Sequence, residues 1–98
     1  MVVYEDSEIF AFRDIHPQAP VHVLLIPKKH YSSLNDFTDA DVDLLGRLVL
    51  AGRKIAKQEK IFDRGYRLVM NCGLEGGQSV DHVQLHLLGG RKLTWPPG

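Results

Sequence analysis

The sequence predicts an α+β domain in which an antiparallel sheet of about five short strands carries one main helix on one face. Three observations lead there. From about Asp39 to Lys60, apolar residues recur at helical spacing. The remainder divides into short β-prone runs separated by proline and glycine. No repeat, low-complexity tract or linker interrupts the 98 residues, so residues 1–98 read as a single domain.

The elements follow in order. Val2 to Glu5 is a β-prone run punctuated by Asp6-Ser7, and Ile9 to Asp14 follows as the second arm of a hairpin. His16-Pro17-Gln18-Ala19-Pro20 is a loop, because each proline fixes its own φ and pushes its predecessor out of the helical region. Val21 to Ile26, apolar except for His22 and stopped by Pro27, reads as a central strand.

Thr38 ahead of Asp39 and Asp41 marks a helix start, a capping hydroxyl followed by acids near the positive end of the dipole. Val42, Leu45, Val49, Gly52, Ile55 and Ala56 form the apolar stripe, which Leu44, Leu48 and Ala51 widen. Arg53, Lys54, Lys57 and Lys60 come late, where cations suit the helix. Gly65 ends a turn, Tyr66 to Met70 is a strand, and Gly73 to Gly77 is a glycine loop. The last strand is expected over Ser79 to Leu88, closed by Gly89-Gly90, and the proline-rich tail cannot extend it.

Composition narrows the function. Twelve basic and twelve acidic side chains cancel, which argues against nucleic acid or an anionic membrane as partner. A small, site-sized anion can still bind through local donors. Cys72 is the only cysteine, so no intramolecular disulfide forms. The start, MVVYEDSEIF, lacks the basic and apolar regions of a signal peptide. No apolar run approaches the ~20 residues of a membrane span. A cytoplasmic setting is expected.

The chemistry gathers at the last strand. Alternation puts Val80, His82, Gln84, His86 and Leu88 on one face and Val83, Leu85 and Leu87 on the core face. By the same alternation Asp81 would turn its carboxylate toward the helix. On an arbitrary strand such a polar row is a solvated sheet face. Here it follows Asn71, the glycine loop and Gln78-Ser79, whose backbone N–H groups can approach a phosphate. No Walker spacing is present, so this is not a P-loop. His22, His82, His86 and Cys72 are candidate metal ligands, but none has zinc-motif spacing, and His82 and His86 are too far apart on a flat strand to share an ion. Neither metal nor cofactor is expected. Cys72 reads as a small neighbour of the site.

The run from Gly77 to Arg91, GQSVDHVQLHLLGGR, resembles the signature strand of the histidine-triad (HIT) family. The ending Trp95-Pro96-Pro97-Gly98 is similar to its Hint branch, the purine nucleoside phosphoramidases. Ala11 to Ile15, Pro17 to Pro20, Ile26 to His30, and Tyr66-Arg67 leading to Asn71 match in order. The resemblance implies a HIT-like fold and a homodimer whose two sheets join into one. It also implies a purine nucleoside monophosphate, or a related small nucleotide, as ligand. Family members hydrolyse nucleotides at the α-phosphate: a histidine attacks phosphorus, and water releases the monophosphate. By position, Asp14 and Ile15 would hold the ribose, with Phe12 near the base. Asn71, Gly77, Gln78 and Ser79 would surround the α-phosphate, and His86 would bind a phosphate oxygen. His22 and His82 would orient the central side chain, and Trp95 would complete the partner's site.

Two departures stand out. The family pattern is His-x-His-x-His, whereas this strand reads His82-x-Gln84-x-His86 and places Gln84 at the nucleophile position. A primary amide has no basic lone pair with which to form the phosphorus–nitrogen bond, so binding is expected without normal turnover. Two alternatives stay open: hydrolysis by water activated at His82 or His22, and a dimeric scaffold with a vestigial nucleotide pocket. The second departure is that the lead-in segment which helps wall the family's base pocket is expected to be absent before Val2.

Overall fold

In the computed structural model, which describes residues 1–98, the order of elements is β1 (Val2–Glu5), β2 (Ile9–Arg13), β3 (Val21–Pro27), α1 (Val42–Gln58), β4 (Tyr66–Val69) and β5 (Leu85–Gly89). Two short 3-10 turns, Leu34–Asp36 and Asp39–Asp41, precede α1. The five strands form one antiparallel sheet in the order β1-β2-β3-β5-β4. This is the α+β architecture expected from the sequence.

Local chemistry sets the elements. Asp6 closes the β1–β2 turn by accepting from the backbone N–H groups of Glu8 and Ile9, each at 2.8 Å. Ile9 and Ala11 of β2 face the core and are buried, while Phe10 and Phe12 face the other side half-buried. The helix side of the sheet, with Val23, Leu25, Leu85 and Leu87, packs on Leu48, Ala51, Ile55 and Ala56 of α1. The opposite side carries His22, Leu24, His86 and Leu88, and no helix covers it.

Three expectations are corrected. The α-helix starts at Val42, because Thr38 caps the preceding 3-10 turn through Ala40 N–H and Asp41 reciprocates at the Thr38 N–H. That carboxylate also accepts the Tyr31 hydroxyl, so it makes no cap to α1 itself. Second, the buried stripe of α1 is Leu48, Ala51, Gly52, Ile55 and Ala56, whereas Val42 and Val49 are 63% and 41% exposed. Periodicity identified the apolar arc but not which edge of it meets the sheet. A Cβ on Gly52 would lie 3.0 Å from the tip of Leu68, so glycine here permits the close approach of α1 to β4.

Third, regular strand begins only at Leu85, not Ser79. The β3–β5 ladder runs from Val21↔Gly89 to Leu25↔Leu85. Continuing that register would set Val83 opposite Pro27, which has no N–H to contribute. Val83 N–H instead donates to the Tyr31 carbonyl at 2.8 Å, and the chain from Ser79 to Gln84 bends across the end of β3. Asp81 is consequently exposed rather than turned to the helix.

Candidate active site on the open face of the sheet

On the uncovered face, His22 of β3 and His86 of β5 are diagonal neighbours, since His22 pairs with Leu88 and His86 with Leu24. His22 Nε2 lies 2.9 Å from His86 Nδ1. The Gln18 backbone N–H donates to His22 Nδ1 at 3.1 Å. An N–H can only donate, so neutral His22 carries its proton on Nε2 and passes a hydrogen bond to His86 Nδ1. Neutral His86 must then hold its own proton on Nε2, aimed outward as a donor. Burial lowers the pKa of both imidazoles. The neighbouring His22 lowers that of His86 further, and Asp14 partly opposes the shift in each. Both histidines are therefore held neutral.

A second imidazole pair lies beyond the end of β5. His82 Nε2 is 3.1 Å from the Pro27 carbonyl, which can only accept. His82 Nδ1 is 2.7 Å from His30 Nδ1, and His30 Nε2 is 3.3 Å from the Ser32 hydroxyl. Neutral His82 thus donates from Nε2 and accepts at Nδ1, so both its nitrogens are committed within the protein.

Between the two pairs lies a cavity of about 50 Å³ lined by Asn71, Gln78, Ser79, Val80, His82, Gln84 and His86. It has room for a phosphoryl-sized group and not for a purine. Wider surface depressions exist, one of about 470 Å³ beside Lys57 and Phe62 and one of about 380 Å³ lined by Glu8, Lys28, Asp41 and Arg47, but neither holds a histidine. The glycine loop forms one wall. Gln78 staples it: Oε1 accepts from Gly73 N–H at 2.9 Å, and Nε2 donates to the carbonyls of Ser32 and Val80 at 2.6 and 3.0 Å. Both ends of the Gln78 amide are thereby engaged in holding the loop. Gly77, at φ +80°, makes the turn that leads into Ser79. The side chains of Asn71, Ser79 and Gln84 have no hydrogen-bond partner in the protein and leave donors and acceptors free at the cavity.

Asp14 stands just past β2. Its Oδ1 accepts from His16 N–H at 2.8 Å, and its Oδ2 is 3.5 Å from His22 Nε2. Phe12 packs against Phe10 on the same open face, with ring centroids 5.7 Å apart. Ile15 and Trp95 are not drawn into the cavity and stand 85% and 82% exposed. The structure therefore brings Asn71, Gln78, Ser79, His82, Gln84 and His86 together, sets His22 and Asp14 behind them, and leaves Ile15 and Trp95 outside. Sequence reasoning assigned no role to His30, Gln18 or the Pro27 carbonyl. His30 was visible as a polar residue following the central strand, but its partner His82 is 52 residues away.

Asp14, His22 and His86 bring three potential metal-ligand atoms within 4.8 Å of one another, a grouping that chain spacing did not reveal. The donor chemistry does not fit an ion. A metal-bound imidazole donates its other N–H, whereas His22 Nδ1 faces the Gln18 N–H and must be bare. Coordination through Nε2 would leave two donors, or an imidazolate, at one place.

The model for the HIT domain matches residues 1–93. A "14 kDa zinc-binding protein" of Brassica juncea is 50% identical over 99 aligned residues, spanning 99% of this chain and 87% of its own length. The adenylylsulfatase HINT1 of Arabidopsis thaliana is 48% identical over 99% of this chain and 67% of its own length. A HIT family hydrolase from Legionella pneumophila superposes with a TM-score of 0.97 at 55% identity, covering 99% of this chain and 87% of that one. The chain belongs to the HIT family.

Proposed function

We propose that this protein is a dimeric nucleotide-binding HIT protein whose cavity takes the α-phosphate of a purine nucleoside monophosphate or a related nucleotide, with hydrolysis suppressed at Gln84. The observation that carries this reading is the set of unpartnered Asn71, Ser79 and Gln84 side chains facing the outward donor of His86 around a phosphoryl-sized cavity. In this arrangement Ser79, Asn71 and the Gln84 amide donate to phosphate oxygens together with His86 Nε2–H. The ribose then extends toward Asp14, whose Oδ2 can accept from the cis-diol, and the base toward Phe12. The relative named an adenylylsulfatase supports an adenylyl-bearing ligand.

Turnover at the α-phosphate requires a nucleophile that forms a bond to phosphorus while the leaving group departs. The amide nitrogen of Gln84 has its lone pair delocalised into the carbonyl and cannot do this. Direct attack by water would need a base. His22 and His82 have both nitrogens committed within the protein, and His86 offers a proton rather than a lone pair. These pairings favour binding over direct hydrolysis.

Dimerisation is supported by exposed apolar residues of α1 and by an open sheet edge. Val49 and Val42 flank the edge of α1 that approaches β4, where Gly52 meets Leu68. β4 is an edge strand with an unpaired outer side. A second copy joining there would extend the sheet, and Trp95 would be free to reach the partner's site. Calorimetry with adenosine and guanosine monophosphates tests the binding. Saturable heat that is lost on changing Ser79 and Asn71 together to Ala is expected. No heat at millimolar nucleotide would favour a vestigial pocket.

A further inference from the structure

The balanced charges of the chain are not evenly mixed in space. Its four ion pairs use Arg13, Lys28, Arg47 and His22. Arg64, Arg67, Arg91 and Lys92 have no carboxylate partner, yet they meet at one end of the sheet. The last rung there is Tyr66↔Gly89. Beyond it stand Gly65 and Gly90, at φ +104° and +91°, a backbone region that side chains disfavour. The two chains turn apart and leave a groove. Two adjoining cavities of about 220 and 350 Å³ occupy it and share Arg64, Gly65, Arg91 and Lys92 as walls.

Two guanidinium groups are held in place there. Arg67 Nη2 donates to the Thr94 carbonyl at 2.8 Å, and Arg91 Nη2 to the Gln18 carbonyl at 2.9 Å. Each keeps further N–H donors free, and a fixed guanidinium fork suits phosphate oxygens. Among the side chains that line the groove only Tyr66 and Leu93 are hydrophobic, and both belong to the smaller cavity. The one aromatic ring in the lining, Tyr66, is stacked on Phe62 with centroids 6.4 Å apart.

We propose that the groove between the Gly65 and Gly90 ends of β4 and β5 is a second anion site that takes a compact oligophosphate, a ligand with two or more linked phosphate groups. Four cations around a short groove match several linked negative charges better than a single phosphate. The groove lies past the last rung of β4, so joining of β4 edges leaves one in each protomer.

The test is calorimetry with inorganic tripolyphosphate at low ionic strength, on protein already saturated with adenosine monophosphate. The site predicts binding that persists beside the nucleotide, weakens as salt is added, and shifts the amide resonances of Gly65 and Gly90. Arg64→Gln with Lys92→Gln should weaken it at least tenfold and leave nucleotide affinity unchanged. Neither side chain makes a hydrogen bond within the protein, so the variant should fold. Absence of heat, loss of the signal to nucleotide competition, or an unaffected variant would each overturn the proposal. So would binding of a single-stranded oligonucleotide with tripolyphosphate silent.

Discussion

His22 Nε2 sits 2.9 Å from His86 Nδ1, and the Gln18 backbone N–H behind His22 determines which way the proton points. A peptide N–H thus orients the donor that faces the candidate phosphate cavity, through two imidazoles in series.

This pairing makes stability depend on pH. Burial lowers both imidazole pKa values in the folded state. The unfolded chain binds protons at these residues below about pH 6.5, before the folded chain does. The unfolded state therefore holds more protons in that window, and stability falls as pH drops through it. Urea midpoints should hold steady from pH 8 to 7, decline below 6.5, and decline less in His22→Gln. A midpoint unchanged between pH 7.5 and 5 would contradict the neutral pairing.

Ser79→Ala removes a hydroxyl that has no partner in the free protein. Nucleotide affinity should fall by about 1–2 kcal/mol if the hydroxyl meets a charged phosphate oxygen, and the thermal midpoint should barely move. Unchanged affinity measured by calorimetry would put the phosphate elsewhere.

Gly76→Ala addresses the loop. A Cβ there would fall onto the backbone of Cys72, its carbonyl oxygen first. The Gln78 staple leaves that segment little room to yield. Affinity for adenosine monophosphate should drop at least tenfold with the helix and sheet intact by circular dichroism; full affinity would show that the loop does not shape the site.

Much of this was readable in the chain. The limits of β1 to β4 fall within a residue of those expected from turn residues and alternation, because these are local signals. The first half of the last strand was not readable. Continued in register, the ladder would set Val83 opposite Pro27, more than fifty residues earlier, and it stops short at Leu25↔Leu85. The alternation rule still placed Val83, Leu85 and Leu87 in the core. His82, Gln84 and His86 of the polar row line one cavity, but the division of the histidines into a His22–His86 pair and a His30–His82 pair depends on long-range packing. The role of Gln18 runs through its main chain, which carries no sequence signal.

The exposed apolar edge of α1 gives a test of assembly. Wild-type protein should sediment as a dimer at micromolar concentration, and Val49→Glu should yield a folded monomer by burying a charge at the joined surface. A monomeric wild type would remove the dimer and, with it, any contribution of Trp95 to a partner's site.

The decisive measurement is intact-protein mass after rapid quench with an adenosine phosphoramidate, on wild type and Gln84→His, beside steady-state rates. On the proposal that Gln84 occupies the nucleophile position, wild type should gain no nucleotidyl adduct and turn over near background. Gln84→His should gain the mass of one nucleoside monophosphate and a rate higher by roughly 10³-fold or more, since His22, His82, His86 and Ser79 remain in place. An adduct on wild type, or equal turnover by the two forms, would contradict the assignment of Gln84 as a silenced nucleophile.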